Sequence, residues 1–114
     1  MTDRELFVST VIDLMKDIAP QFTFASATDS RINPGAIVLP FYLWDRVGRD
    51  EPQASTVHVV ASEREIKLNA GFIAELARHK VDQGLRCYEA NKPPGAVVIP
   101  EAEAKRIIIE MAAA

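Results

Sequence analysis

Residues 33–47 read NPGAIVLPFYLWDRV, and what the chain does after Pro40 decides the architecture. A Pro-Gly pair suited to a tight turn feeds four apolar residues, then a proline, then an aromatic run. Four consecutive apolar residues without polar alternation predict a strand buried on both faces. Beyond Pro40 two readings stand. FYLWDRV forms one or two helical turns with Phe41, Trp44 and Val47 inward, or the strand continues with Pro40 at an edge or bulge. In the strand reading Tyr42 and Trp44 share a face opposite Phe41 and Leu43.

The phrase returns at residues 93–100, PPGAVVIP. Here Ala96–Ile99 reads as a strand and Pro100 opens a helix, since proline suits the first helical position. Glu101 and Glu103 fall in that helix's first turn, and Glu101 can pair with Lys105 at i,i+4. Ala104, Ile107, Ile108 and Met111 follow one face. Ordinary sheet physics accounts for both copies as core strands entered by turns and ended by proline. Duplication of a half-domain is the alternative, but no second echo joins the halves.

Working outward, residues 3–19 predict an amphipathic helix. Thr2 and Glu5 have capping-box spacing, and Phe7, Val8, Val11, Ile12, Leu14, Met15 and Ile18 recur at helical period. Phe22 and Phe24 alternate with polar residues, as in a short strand. GRDEPQAS (48–55) reads as a loop and TVHVVAS (56–62) as a strand. Ser62 and Glu65 repeat the capping-box spacing, and Asn69 is a later candidate cap. A helix is expected over 69–83, with Phe72, Ile73, Leu76, Ala77 and Val81 buried and Gly84 ending it. LRCYEA (85–90) reads as a further short strand. The expected fold is α+β: one domain over 1–114, mostly antiparallel sheet, with an N-terminal helix and two later helices packed on it.

Composition narrows the function. The 114 residues are 48% apolar and 25% charged, near globular averages. The net charge is −3, from 13 basic and 16 acidic residues, and no run of Lys or Arg occurs. Affinity for phosphates comes from basic clusters, so the composition argues against nucleic acid. MTDREL lacks the apolar core of a signal peptide, and no apolar run approaches the length of a membrane span. The expectation is a soluble cytoplasmic protein, or a virion-associated one if of phage origin.

No constellation of side chains points to chemistry. His58 and His79 lack metal-ligand spacing to any Cys or carboxylate, so no metal is expected. No glycine-rich phosphate loop occurs, and no cofactor or small-molecule substrate is evident. The single cysteine, Cys87, reads as a small buried hydrophobe; an enzyme using Cys87 with a histidine is an alternative.

Two features favour protein contact instead. FYLW places three of the chain's eight aromatic residues together, and Trp, Tyr and Arg are the usual anchors of interfaces. Beside them, Asp45, Arg46, Arg49, Asp50 and Glu51 form a charged loop. The candidate interface is therefore Phe41, Tyr42, Trp44, Arg46, Arg49, Asp50 and Glu51. The expected function is a non-enzymatic protein-interaction protein: an assembly subunit, or a small inhibitor or adaptor of a larger complex. Its partner is another protein or a second copy. The order of helix, short strand, turn, apolar strand, loop, strand and helix is similar to tail-terminator-like proteins. Short proteins of phage or other mobile elements often have this character, including tail and neck assembly subunits and inhibitors of host defence, so a phage-like setting is expected.

A second resemblance runs over residues 29–68. Asp29, Ser30, Gly35, Pro40, Leu43 and Gly48 follow the outline of a D-S-x-G-x-h-h-h-P-x-x-L motif with a later glycine, and TVHVVASEREIKL comes next as a hairpin candidate. This resembles the swapped-hairpin DNA-binding domains of AbrB-type regulators and their antitoxin relatives. The resemblance implies a dimeric DNA-binding regulator whose Arg31, Arg46, Arg49, Arg64 and Lys67 converge on one face. The chain departs from it in the three extra residues Ile32-Asn33-Pro34. It departs again in having Trp44 where an arginine is typical.

Overall fold

A computed structural model describes residues 1–29 and 34–114. Ser30, Arg31, Ile32 and Asn33, which carry part of the regulator-like motif, lie outside the described residues. The fold is α+β.

Pro40 neither breaks the strand nor bulges it. Strand β3 runs unbroken over Ala36–Val47. The reason lies in the direction of its missing N–H. The Pro40 carbonyl accepts from the Ala25 N–H at 3.1 Å, on the side away from the long partner strand. In an antiparallel ladder, N–H and C=O of one residue point the same way. Pro40 therefore directs its donorless nitrogen toward the short-strand side and costs the main ladder nothing.

That main ladder joins β3 to β4 (Gln53–Ser62) through ten regular pairs, from Ala36↔Ser62 to Asp45↔Gln53. Gly48–Pro52 make the connection, so Gln53–Ser55 belong to the strand rather than to the expected loop. Along its other edge β3 pairs in turn with β2 (Thr28–Asp29), β1 (Thr23–Phe24) and β5 (Ala96–Ile99), all antiparallel. Among the described residues, β3 is thus the one strand that every other strand touches. Its burial alternates, with Leu39, Phe41 and Leu43 buried and Val38, Pro40, Tyr42 and Trp44 half-buried. The expectation of burial on both faces is corrected: helices cover only one face of β3 along most of its length.

The covering layer begins with α1 (Asp3–Ile18). Its capping box is made by Thr2 and Glu5, and Phe7, Val11 and Met15 point into the core. A second capping box, Ser62 with Glu65, starts the short helix α2 (Glu63–Leu68). Asn69 caps the C-terminus of that helix, its Nδ2 donating to the Glu65 carbonyl at 2.8 Å. Gly71, at φ +87°, turns the chain into α3 (Ile73–Asn91). Three helices therefore come after the hairpin, not two, and the second starts later than expected. Phe72 precedes its first residue and is 63% exposed rather than buried.

Helix α3 also runs through the segment read as a strand. LRCYEA is helical, and Gly84 lies inside α3 instead of ending it. The cause is tertiary. A β-carbon on Gly84 would sit 3.1 Å from Val57 Cγ1 and 3.2 Å from the His58 carbonyl oxygen. Gly84 is the residue that lets α3 lie directly on β4, a packing role rather than a stop signal. Helix α1 packs beside α3, and residues from α1, β3, β4 and α3 form the main core.

The last helix, α4 (Glu101–Ala113), follows β5 through Pro100 as expected, with Lys105 and Glu101 paired at 3.1 Å. It stands apart from the α1–α3 layer. Ile99 and Ala104 are buried but lie outside the main core cluster. No helix among the described residues is long and apolar enough to cross a membrane.

Candidate interaction surfaces

Period-two alternation in β3 sorts the aromatic cluster. Phe41 and Leu43 are each 2% exposed and belong to the main core. Phe41 is thus removed from the expected interface, because its side chain faces α1 and α3 rather than solvent. Phe24 packs against its ring at a centroid distance of 5.2 Å. Tyr42 and Trp44 occupy the opposite face, half-buried, as the strand reading required.

On that face Trp44 is paired in register with Ile99 and Arg46 with Val97. The Tyr42 hydroxyl reaches Glu101 Oε1 at 3.5 Å, tying the start of α4 to the sheet. A cleft of about 350 Å³ opens here, lined by Tyr42, Trp44, Val98, Pro100 and Glu101, with Gln21 and Thr23 on its far side. The Trp44 indole N–H is buried and has no acceptor among the described residues. Leaving such a donor unmade costs about 1–3 kcal/mol.

The largest exposed apolar side chains of this end lie on β5 and α4: Val97 at 58%, Val98 at 40%, Ile109 at 68% and Met111 at 48%. The sequence reading missed them because short runs such as AVVI and III look like core. Arg49, Asp50 and Glu51 are exposed on the hairpin connection, which adjoins β5 through the pair Val47↔Ala96. The structure therefore brings Tyr42, Trp44 and Arg46 onto one face, with the charged tip at the same end. It does not bring the proposed DNA-facing cations together. Arg64 and Lys67 lie on α2, at the Ser62 end of the ladder. Arg46 and Arg49 lie at the other end, about 30 Å away for ten residues of strand.

Asp45, expected on the exposed loop, is 5% exposed and accepts from Ser55 Oγ at 2.7 Å. Next to it lies the buried Tyr88 hydroxyl, which faces the Asp45 carboxylate. Burial raises the Tyr88 pKa above its ordinary value, and the nearby Asp45 charge raises it further. The Tyr88 ring meets Phe22 edge-on at 5.2 Å.

A second, larger cleft of about 610 Å³ runs between β4 and the flank of α3. Lys80, Cys87, Tyr88 and His58 contribute to its walls. Cys87 is exposed on α3, not buried in a strand, because residues 85–90 are helical. Cys87 and His58 share this cleft, yet no hydrogen bond joins them, and His79 is exposed on the outer side of α3. Among the described residues, no three His, Cys, Asp or Glu side chains gather as a metal site.

No known protein family, curated protein or solved structure matches this chain.

Proposed function

We propose that this chain is a protein-interaction protein, an assembly subunit or a small inhibitor or adaptor of a larger complex. It binds through the end of the sheet where β5 and α4 meet Trp44. One observation supports the reading: half-buried Tyr42 and Trp44 lie on β3, which pairs with β5, and β5 and the helix that follows it carry the exposed side chains Val97, Val98, Ile109 and Met111. Charged residues of the hairpin tip flank them. Apolar and aromatic side chains inside a polar rim are the usual anatomy of a protein contact. The order of elements keeps a phage-assembly setting as the favoured biological context, with a cytoplasmic or virion-associated location.

Native mass by light scattering over a tenfold concentration range tests the reading. The expected result is a mass above that of the monomer, returned to the monomer value by Val97→Asp with Ile109→Asp. Both positions are exposed, so the thermal midpoint should barely move. A wild-type monomer at every concentration would shift the contact to a different protein. An oligomer indifferent to both changes would contradict this surface.

A further inference from the structure

The outer edge of β4 is an open acceptor for another strand. Because Pro40 faces the short-strand side, its register partner His58 also points away from the β3–β4 ladder. By the same parity Thr56 and Val60 direct their N–H and C=O groups outward. β4 pairs with β3 alone, and no protein partner among the described residues meets those outward groups. Natural sheets protect such edges with charges, prolines, bulges or covering segments. The β4 sequence QASTVHVVAS contains no Lys, Arg, Asp, Glu or Pro, and its ten pairs run without a bulge.

We infer that this edge binds an extended peptide segment of a partner protein, added as a strand beside β4 in the cleft beneath α3. The His58 N–H and the backbone groups of Thr56 and Val60 supply the pairing, while the His58 carbonyl lies against Gly84 of α3. Lys80 and Cys87 on α3 form the opposing wall. This edge is a different surface from the β5–α4 end and does not depend on it.

The position of α3 decides the kind of occupant. Gly84 seats α3 directly over β4. A second copy pairing β4 to β4 would place its own α3 beside the first. Paired strands lie about 4.8 Å apart, whereas packed helices need about 8–10 Å. Two such helices cannot fit, so the cleft takes a strand with nothing packed above it. Side chains turned toward α3 must be small for the same reason.

The test is selection from a displayed library of random twelve-residue peptides against the whole protein. Enriched peptides should bind wild type and lose about tenfold or more in affinity to His58→Pro, which removes one outward donor. Since proline can also disturb the strand, Cys87→Trp serves as a second variant that fills the cleft from the helix side. It should weaken the same peptides by a similar factor. Amide exchange at Thr56, His58 and Val60 should slow when peptide binds. Failure to enrich any peptide overturns the inference. So does enrichment of peptides that bind both variants as tightly as wild type. Neither failure bears on the Val97 and Ile109 variants, which report on the other surface.

Discussion

The chain writes one phrase twice, and the two copies come to different ends. GAIVLP enters β3 through Gly35 at φ +84°, and GAVVIP enters β5 through Gly95 at φ +77°. Both are strands of the same sheet. After Pro100 the chain turns into α4, while after Pro40 it continues as strand for seven more residues. Proline therefore does not set the outcome by itself. The direction of its missing N–H and the residues on its C-terminal side set it together. EAEAKR after Pro100 has acidic residues for a helix start and an i,i+4 ion pair. FYLW after Pro40 has aromatic residues that fill two faces of a sheet.

The largest effect that could break this comparison comes from moving the proline by one residue. Leu39 is fully buried and lies on the opposite parity, so its N–H serves the ladder to Val59. Leu39→Pro should destabilise by about 3 kcal/mol or more, from the lost ladder bond and ring clash. Pro40→Ala should change stability by less than about 1 kcal/mol, since no ladder bond depends on it. Thermal or urea melts of both variants check the contrast, and equal losses would mean that parity is irrelevant.

Next in size is the contrast of faces after Pro40. Phe41→Ala removes a core ring and should cost about 3–5 kcal/mol. Tyr42→Ala, on the half-covered face, should cost clearly less, and urea midpoints compare the two. Gly84→Ala is smaller and tests the helix that locks β4 in place. Alanine gains about 1 kcal/mol of helix propensity over glycine. Against it, the new β-carbon meets the His58 carbonyl at 3.2 Å, and overpacking costs about 1–3 kcal/mol. The expected sign is a net loss, because backbone on the strand side cannot move aside.

The smallest effect sharpens how helices begin. α4 starts on a proline, whereas α2 starts on the Ser62–Glu65 capping box. Glu65 is held below the usual carboxylate value of 4.5, first by its hydrogen bond to Lys80 and then by bonds at Ser62. A lowered folded pKa gives stability that is present above the unfolded value and lost as pH falls through the folded one. The stability gap between wild type and Glu65→Gln should therefore be modest at neutral pH and close as pH drops below about 4.5. Urea titrations at several pH values measure it.

Local signals were legible where they acted locally. Thr2 and Ser62 both make the capping boxes that their spacing announced, and β5 with α4 keeps the expected grammar. The misreadings all trace to tertiary contacts. Gly84 resembles a helix end until β4 is known to lie beneath it. LRCYEA resembles a strand only through its short mixture of apolar and polar residues; Leu85 and Tyr88, three positions apart, lean toward the core from one face of a helix. On the surface, alternation separated Tyr42 and Trp44 from Leu43. It could not tell that Asp45 would turn inward to Ser55, or that Val97 and Ile109 would stay exposed.

The most direct measurement is amide hydrogen exchange, residue by residue, across β3 and β4. Protection should continue through Phe41–Val47 without a break at Pro40. On β4 it should alternate, with Val57, Val59 and Ala61 slow and Thr56, His58 and Val60 fast. Loss of protection after Pro40 would mean that the strand ends where its twin does. Uniform protection along β4 would mean that its outer edge is already paired. Either result would contradict a sheet organised by one continuous central strand with an open edge.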